Sequence, residues 1–195
     1  MQPLTVATVL RSGGEYSTDH VERLRDMVEA HNDEVRFVCL SDVDVPCERI
    51  ALLHNWKGWW SKIELFRPGL FKGHVIYLDL DTDVLGPIRG LCRHGFTMIS
   101  DFYNLRNPAS GVMAWKDDAP VYVYNRFCER PSVFQAAYTH AARWGDQGFI
   151  RDYAGPISRF PDGAVLSYKV HCQDGIPEGA SVVAYHGKPK PWDLG

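Results

Sequence analysis

Three aspartates at alternate positions, Asp79, Asp81 and Asp83, follow a run of large apolar residues, Val75, Ile76, Tyr77 and Leu78. Side chains alternate along an extended chain, so Asp79 and Asp81 project to the same side. Two carboxylates that close repel each other unless a proton or a divalent cation sits between them. The pair therefore reads as a candidate metal site, against the plainer alternative that acids at the end of a strand cap the turn that follows. Far downstream, residues 186–192 read HGKPKPW. An imidazole added to the two carboxylates gives a donor set suited to Mn²⁺ or, with more oxygen ligands, Mg²⁺. Gly187 allows close backbone approach, and Lys188 and Lys190 supply the positive charge that a diphosphate requires.

The elements that must position these groups are those of an α/β chain. The run before the acids fits a strand buried on both faces, as in a parallel sheet covered by helices, and ligands bind where such strands end. Leu4–Leu10 reads as a first strand, and a turn-rich segment leads from it to a helix with Val21, Leu24 and Val28 on one face, started by Asp19 with Glu22. A second strand is expected over 35–40 and a short apolar piece over 50–53, which gives the strand-helix-strand step of a right-handed parallel winding. Over 55–68 an α-helical spacing puts Trp59, Ile63 and Phe66 on one face and ends at Pro68, so Trp56, Trp59 and Trp60 are expected to pack. Lys62 lies off that face, either as a solvated charge or within reach of a ligand. Further strands are expected over 96–102, 111–115, 165–172 and 181–185, and helices over 121–128, 133–144 and 149–153.

At 195 residues the chain suits one domain over 1–195, large enough to bury roughly 70% of its unfolded surface. A formal net charge of -3 argues against a general nucleic-acid binder. The five cysteines, odd in number and without a CxxC pair, point to a reducing compartment. The N-terminus reads as a strand rather than a signal peptide, and no run reaches the ~20 apolar residues that span a bilayer, so a cytoplasmic location is expected.

Taken together, the D-x-D of Asp79 and Asp81, the Asp146-Gln147 pair and the closing HGKPKPW resemble the glycogenin and bacterial galactosyltransferase family of retaining glycosyltransferases, over Leu4 to Trp192. The resemblance implies a GT-A (Rossmann-like) fold and transfer of a sugar, with retention, from a nucleotide sugar such as a UDP sugar to an acceptor that is a glycan, a protein or a small molecule. It assigns Asp79, Asp81 and His186 to a Mn²⁺ or Mg²⁺ ion. Thr8, Leu10, Arg11 and Tyr16 would cradle the base and ribose, and Leu80 would offer its backbone to the nucleotide. Gly187 with Lys188 or Lys190 would face the phosphates, and Asp146 and Gln147 would lie by the sugar.

Departures from the family pattern are visible. Its longer H-x-x-G-x-x-K-P-W motif has His where this chain has Ala184, so His186 would substitute from beside the glycine. Ala109 replaces an Asn before Ser110-Gly111, and Asp83 replaces an aliphatic residue, which makes it a turn or supporting acid. A strand ending in D-L-D-T also resembles the nucleophile motif of haloacid-dehalogenase-type phosphatases, in which Asp79 would form an aspartyl phosphate. A protein that binds a nucleotide sugar without turning it over is the non-enzymatic alternative.

Overall fold

The computed structural model describes residues 4–117, 120–140 and 143–194. Its central strand is β4 (His74–Leu78), the strand that leads into the acids. Val75 and Tyr77 enter one hydrophobic core while Ile76 and Leu78 enter another, on the opposite face of the sheet. β1 (Leu4–Leu10) pairs parallel with β4 and with β2 (Val35–Ser41), which pairs parallel with β3 (Glu48–Ala51). On the other side of β4 lies β7 (Pro108–Lys116), antiparallel to it, then β6 (Thr97–Ser100) and the short β10 (Ser158–Arg159). The seven-stranded order β10-β6-β7-β4-β1-β2-β3 thus has one reversed strand in a mostly parallel sheet.

Helix α1 (Thr18–His31) covers one face through Val21, Leu24 and Val28. The other face is covered by α2 (Val121–Glu129), α3 (Pro131–Ala137) and α4 (Gly145–Tyr153), which contribute Val123, Phe127, Phe134, Phe149 and Ile150. A small sheet, β11-β12-β5, joins β5 (Thr82–Val84) to β12 (Val182–Ala184) and β11 (Leu166–Ser167). The chain therefore leaves the main sheet at Asp79, turns with Thr82 N–H donating to Asp79 O (3.1 Å), and enters the small sheet at Thr82. The backbone N–H of Tyr185 donates to Asp81 O at 3.1 Å, which brings the C-terminal motif to the acids.

Several local expectations are corrected. The segment over 55–68 holds a 3-10 helix, Gly58–Phe66, in place of an α-helix. Three residues per turn align positions three apart, so Trp60, Ile63 and Phe66 form the buried row while Trp59 and Lys62 share another. Helix α1 is capped by Ser17, with His20 at the third position, rather than started by Asp19. The helix expected over 133–144 ends at Ala137 and gives way to an antiparallel pair of β8 (Thr139–His140) and β9 (Arg143–Trp144), and residues 141 and 142 lie outside the described residues. Half of the strand expected over 165–172 is the short helix α5 (Tyr168–His171), and only Leu166–Ser167 is extended. Among the described residues no helix is long and apolar enough to cross a membrane.

Trp115 sits at the centre of the helix-covered core, 1% exposed, with Phe66, Phe71 and Phe96 around it. Trp115→Ala is expected to cost about 3–5 kcal/mol by removing the ring and leaving a cavity. Chemical denaturation with an unchanged m-value measures it, and a loss below about 1 kcal/mol would contradict this placement.

Candidate functional site

β1 and β4 remain paired only as far as Ala7 and Tyr77. Where they part, Thr8 Oγ1 donates to Leu78 O at 2.9 Å, and a cavity of about 560 Å³ opens beyond the strand ends. That volume is typical of a small-ligand site. Arg11, Tyr16, Lys62, Asp79, Leu80, Asp81, Asp146, Gln147 and His186 all line it, so the fold gathers nine of the expected residues from widely separated segments.

Lys62 is the hub of one half. Its ammonium is buried and lies 3.0 Å from Asp79 Oδ1 and 3.3 Å from Asp146 Oδ2. It also reaches Ser110 Oγ at 3.2 Å, and that hydroxyl donates to Asp146 Oδ2 at 2.7 Å. Burial pulls the lysine pKa down, but Asp146 and Asp79 together outweigh burial and hold it above the ordinary value. The second contact of Asp79 is the Tyr77 hydroxyl, which donates to the same Oδ1. Gln147 Oε1 accepts the Ser110 N–H at 3.4 Å, which links α4 to β7 beside the acids.

Asp81 organises the other half. Tyr16 donates to its Oδ2 at 2.9 Å, and the Lys190 ammonium contacts the same oxygen while lying 2.9 Å from the Tyr16 hydroxyl. Burial first, then the charge of Asp79, raises the Asp81 pKa, against the pull of Lys190 and Tyr16. Burial, reinforced by Asp81 and Asp79, also pushes the Tyr16 phenol up and keeps it a donor. Asp83 faces away and pairs with Arg23 of α1, the supporting role expected of it.

The C-terminal strap separates the two lysines of HGKPKPW. Lys190 is buried against Asp81, whereas the Lys188 side chain is 64% exposed and pairs with Glu15 (2.8 Å) and Asp193 (3.2 Å). Asp193 also accepts the Lys190 N–H at 2.8 Å, and Trp192 packs on His20 and Tyr16, fastening the strap to the start of α1. Gly187 is exposed and, like Lys188 and Lys190, lies outside the cavity lining. His186 does line the cavity. Its Nε2 lies 2.6 Å from Ser167 Oγ, and its ring stacks on Phe102. Burial, then Lys169, holds its pKa below the ordinary value, so the imidazole is neutral near pH 7.

Thr8 and Leu10 are not in the lining, although Val9 between them is. Alternation along β1 turns Thr8 and Leu10 inward, where the Thr8 hydroxyl is already committed to Leu78 O. Arg11, just past the strand, is held by Asp42 (3.0 Å) and Asn55. Ser110, Tyr77, Asp42 and Asn55 carry no sequence signal: a serine, a tyrosine within an apolar run, and two loop residues are ordinary until the fold brings them to charged partners.

As for a metal ion, among the described residues no three of His, Cys, Asp and Glu form a group that could hold one alone. The acid pair nevertheless fits a cation chemically. Asp79 uses Oδ1 and Asp81 uses Oδ2 in the contacts above, and the other oxygen of each has no hydrogen-bond partner among the described residues. Burial and then the charge of Asp79 raise the Asp81 pKa, and a cation between the acids would relieve the second of these.

Compared by sequence, the chain matches no protein-family model and no curated protein. Solved structures do resemble it. The galactosyltransferase LgtC, in complex with donor and acceptor sugar analogs, superposes with a TM-score of 0.69 at 12% identity, covering 96% of this chain and 89% of that one. The glycosyltransferase GlyE of Streptococcus pneumoniae TIGR4, in its apo form, gives 0.71 at 15% identity, over 97% of this chain and 56% of that one. The fold is the GT-A glycosyltransferase fold, which leaves the phosphatase alternative without structural support.

Replacing Lys62 with Met would leave Asp79 and Asp146 without their shared counter-charge, and breaking a buried pair in this way costs about 3–5 kcal/mol. Lys62→Met is therefore expected to unfold at markedly lower denaturant than Lys62→Arg, which keeps the charge. Equal midpoints for the two variants would contradict the bridging role.

Proposed function

We propose that the chain transfers a hexose from a UDP sugar to an acceptor hydroxyl, with retention at the anomeric carbon and with Mn²⁺ or Mg²⁺ bound at Asp79 and Asp81. The observation that carries this reading is the acid pair at the sheet end, facing a cavity of about 560 Å³ with Lys62 and Lys190 buried against it. His186, in the same cavity but not grouped with the two acids as a three-ligand site in this structure, is the third ligand we assign once an ion is bound. It would act through Nδ1, since its Nε2 is held by Ser167. Bound there, the ion would act as a Lewis acid on the diphosphate oxygens.

The chain's own groups account for the rest. Transfer breaks the bond between the anomeric carbon and a β-phosphate oxygen and forms one from that carbon to the acceptor oxygen. The acceptor proton leaves on the nucleoside diphosphate, whose phosphate oxygen serves as base. Negative charge grows on the leaving oxygen, and Lys190, already fixed by Tyr16 and Asp81, is a preorganised positive charge for it. Positive charge grows on the sugar ring. Asp146, held by Ser110 and Lys62, and Gln147 beside it are the groups we assign to orienting and stabilising that ring. Arg11, Tyr16 and the backbone of Leu80 are assigned to the nucleotide, at the end of the cavity where the strap closes.

With UDP-galactose and UDP-glucose as donors, metal-dependent turnover is expected to fall about 100-fold or more in Asp81→Asn and to vanish in the native chain with chelator. Full turnover in either case would remove the metal from the reading. UDP with Mn²⁺ is also expected to raise the unfolding temperature, and Lys190→Ala to weaken that shift. A shift unaffected by Lys190→Ala would take the lysine out of the diphosphate site.

A further inference from the structure

Trp59 and Trp144 stand outside the core of the fold. Trp56 and Trp60 are each 8% exposed within the core, whereas Trp59 is 49% and Trp144 54% exposed. Their ring centroids lie 6.0 Å apart with planes tilted at 44°, and neither indole meets any other aromatic ring among the described residues. Bare indoles side by side are uncommon on a soluble surface and mark a binding surface more often than chance.

Their position says which one. Trp59 lines the cavity and shares a row of the 3-10 helix with Lys62. Trp144 directly precedes α4, whose Asp146 and Gln147 line the same cavity. The two are locked together by Gly145, at φ +57, where an added Cβ would stand 2.6 Å from Trp59 Nε1. The contacts run in order from Tyr16 and Lys190 through Asp81 and Asp79 to Lys62 and Asp146, and then to the indoles. The platform therefore stands on the side of the cavity where Lys62 and Asp146 lie, next to the groups assigned to the sugar. Tyr103, 72% exposed in the loop between β6 and β7, gives the cavity lining another exposed ring.

We propose that Trp59 and Trp144 form a stacking platform for a pyranose ring of the acceptor, which makes the acceptor a saccharide. This rests on the reading of the cavity as a nucleotide-sugar site. A pyranose has an apolar C–H face that lies flat on an indole and a rim of hydroxyls, and Gln147 in the same cavity is a polar group able to meet that rim. Amphipathic rings wet on one side are suited to such a ligand. Seated there, an acceptor hydroxyl would point toward Asp146 and the donor sugar.

The test uses the full chain with Mn²⁺, UDP-galactose or UDP-glucose as donor, and p-nitrophenyl β-galactoside, p-nitrophenyl β-glucoside, lactose and maltose as probes. At least one pyranoside is expected to accept sugar faster than water does. In Trp144→Ala and in Trp59→Ala its KM should rise about tenfold or more with kcat little changed, while Trp144→Phe retains most of the affinity. Hydrolysis of the donor by water and the thermal shift given by UDP should stay at native levels in all three variants, which shows that they fold and bind donor. An unchanged pyranoside KM in both alanine variants would overturn the proposal. So would donor hydrolysis that no pyranoside accelerates, or transfer to a seryl or tyrosyl peptide in their place. Absence of any donor binding or hydrolysis in the native chain would instead sink the reading of the cavity itself.

Discussion

The site depends on one buried ammonium. Lys62, from a 3-10 helix, is held between Asp79 at the end of β4 and Asp146 at the start of α4, with the Ser110 hydroxyl of β7 completing the contact. Three elements distant in sequence are thereby fixed to a point. Each acid alone would be costly to keep ionised beneath the surface, and so would the lysine; together they are mutually compensated. Two acids share one cation there, which leaves negative charge in the cavity for a further cation to meet. Lys190 plays the matching part for Asp81 from the opposite end of the chain. The cavity is thus lined by fixed charges of both signs rather than by mobile side chains, the preorganisation that an electrostatic site requires.

The two-faced sheet is what allows such a concentration of charge. β4 gives alternate residues to two separate cores, so its backbone is immobile, and the acids begin where that support ends. The N–H of Asp79 is tied to Gly111 O of β7 at 2.9 Å, and the next turn delivers the chain to a second sheet whose other strand carries the C-terminal motif. Asp79 therefore belongs to the main sheet and Asp81 to the junction with the small one. Each has its own lysine, and the cavity lies between the sheets' shared edge and the loops.

Most of the fold was legible because long hydrophobic patterns constrain it. The strand over Leu4–Leu10, the helix face of Val21, Leu24 and Val28 and the strand before the acids all appear where their patterns put them. Short elements were not legible. Seven or nine residues carry too few repeats to distinguish 3.0 from 3.6 residues per turn, and the shorter period aligns Trp60 rather than Trp59 with Ile63 and Phe66 and leaves Trp59 49% exposed. The same change of period turned Lys62 from an off-face charge into the centre of the site.

By itself the sequence determined the α/β class, the strand-end acid pair and the candidate set of charged groups around it, since these rest on residue type and on local alternation. The tertiary structure decided which partner each group has. Lys190 rather than Lys188 turns inward because Asp193 and Trp192 fasten the strap to the start of α1. Val9 rather than Thr8 or Leu10 faces the cavity because β1 and β4 diverge one residue earlier. Ser110 and the indoles of Trp59 and Trp144 acquire meaning only from neighbours far away in the chain. The energy of a charge or a ring depends on what surrounds it in space, and spacing along the chain does not carry that information.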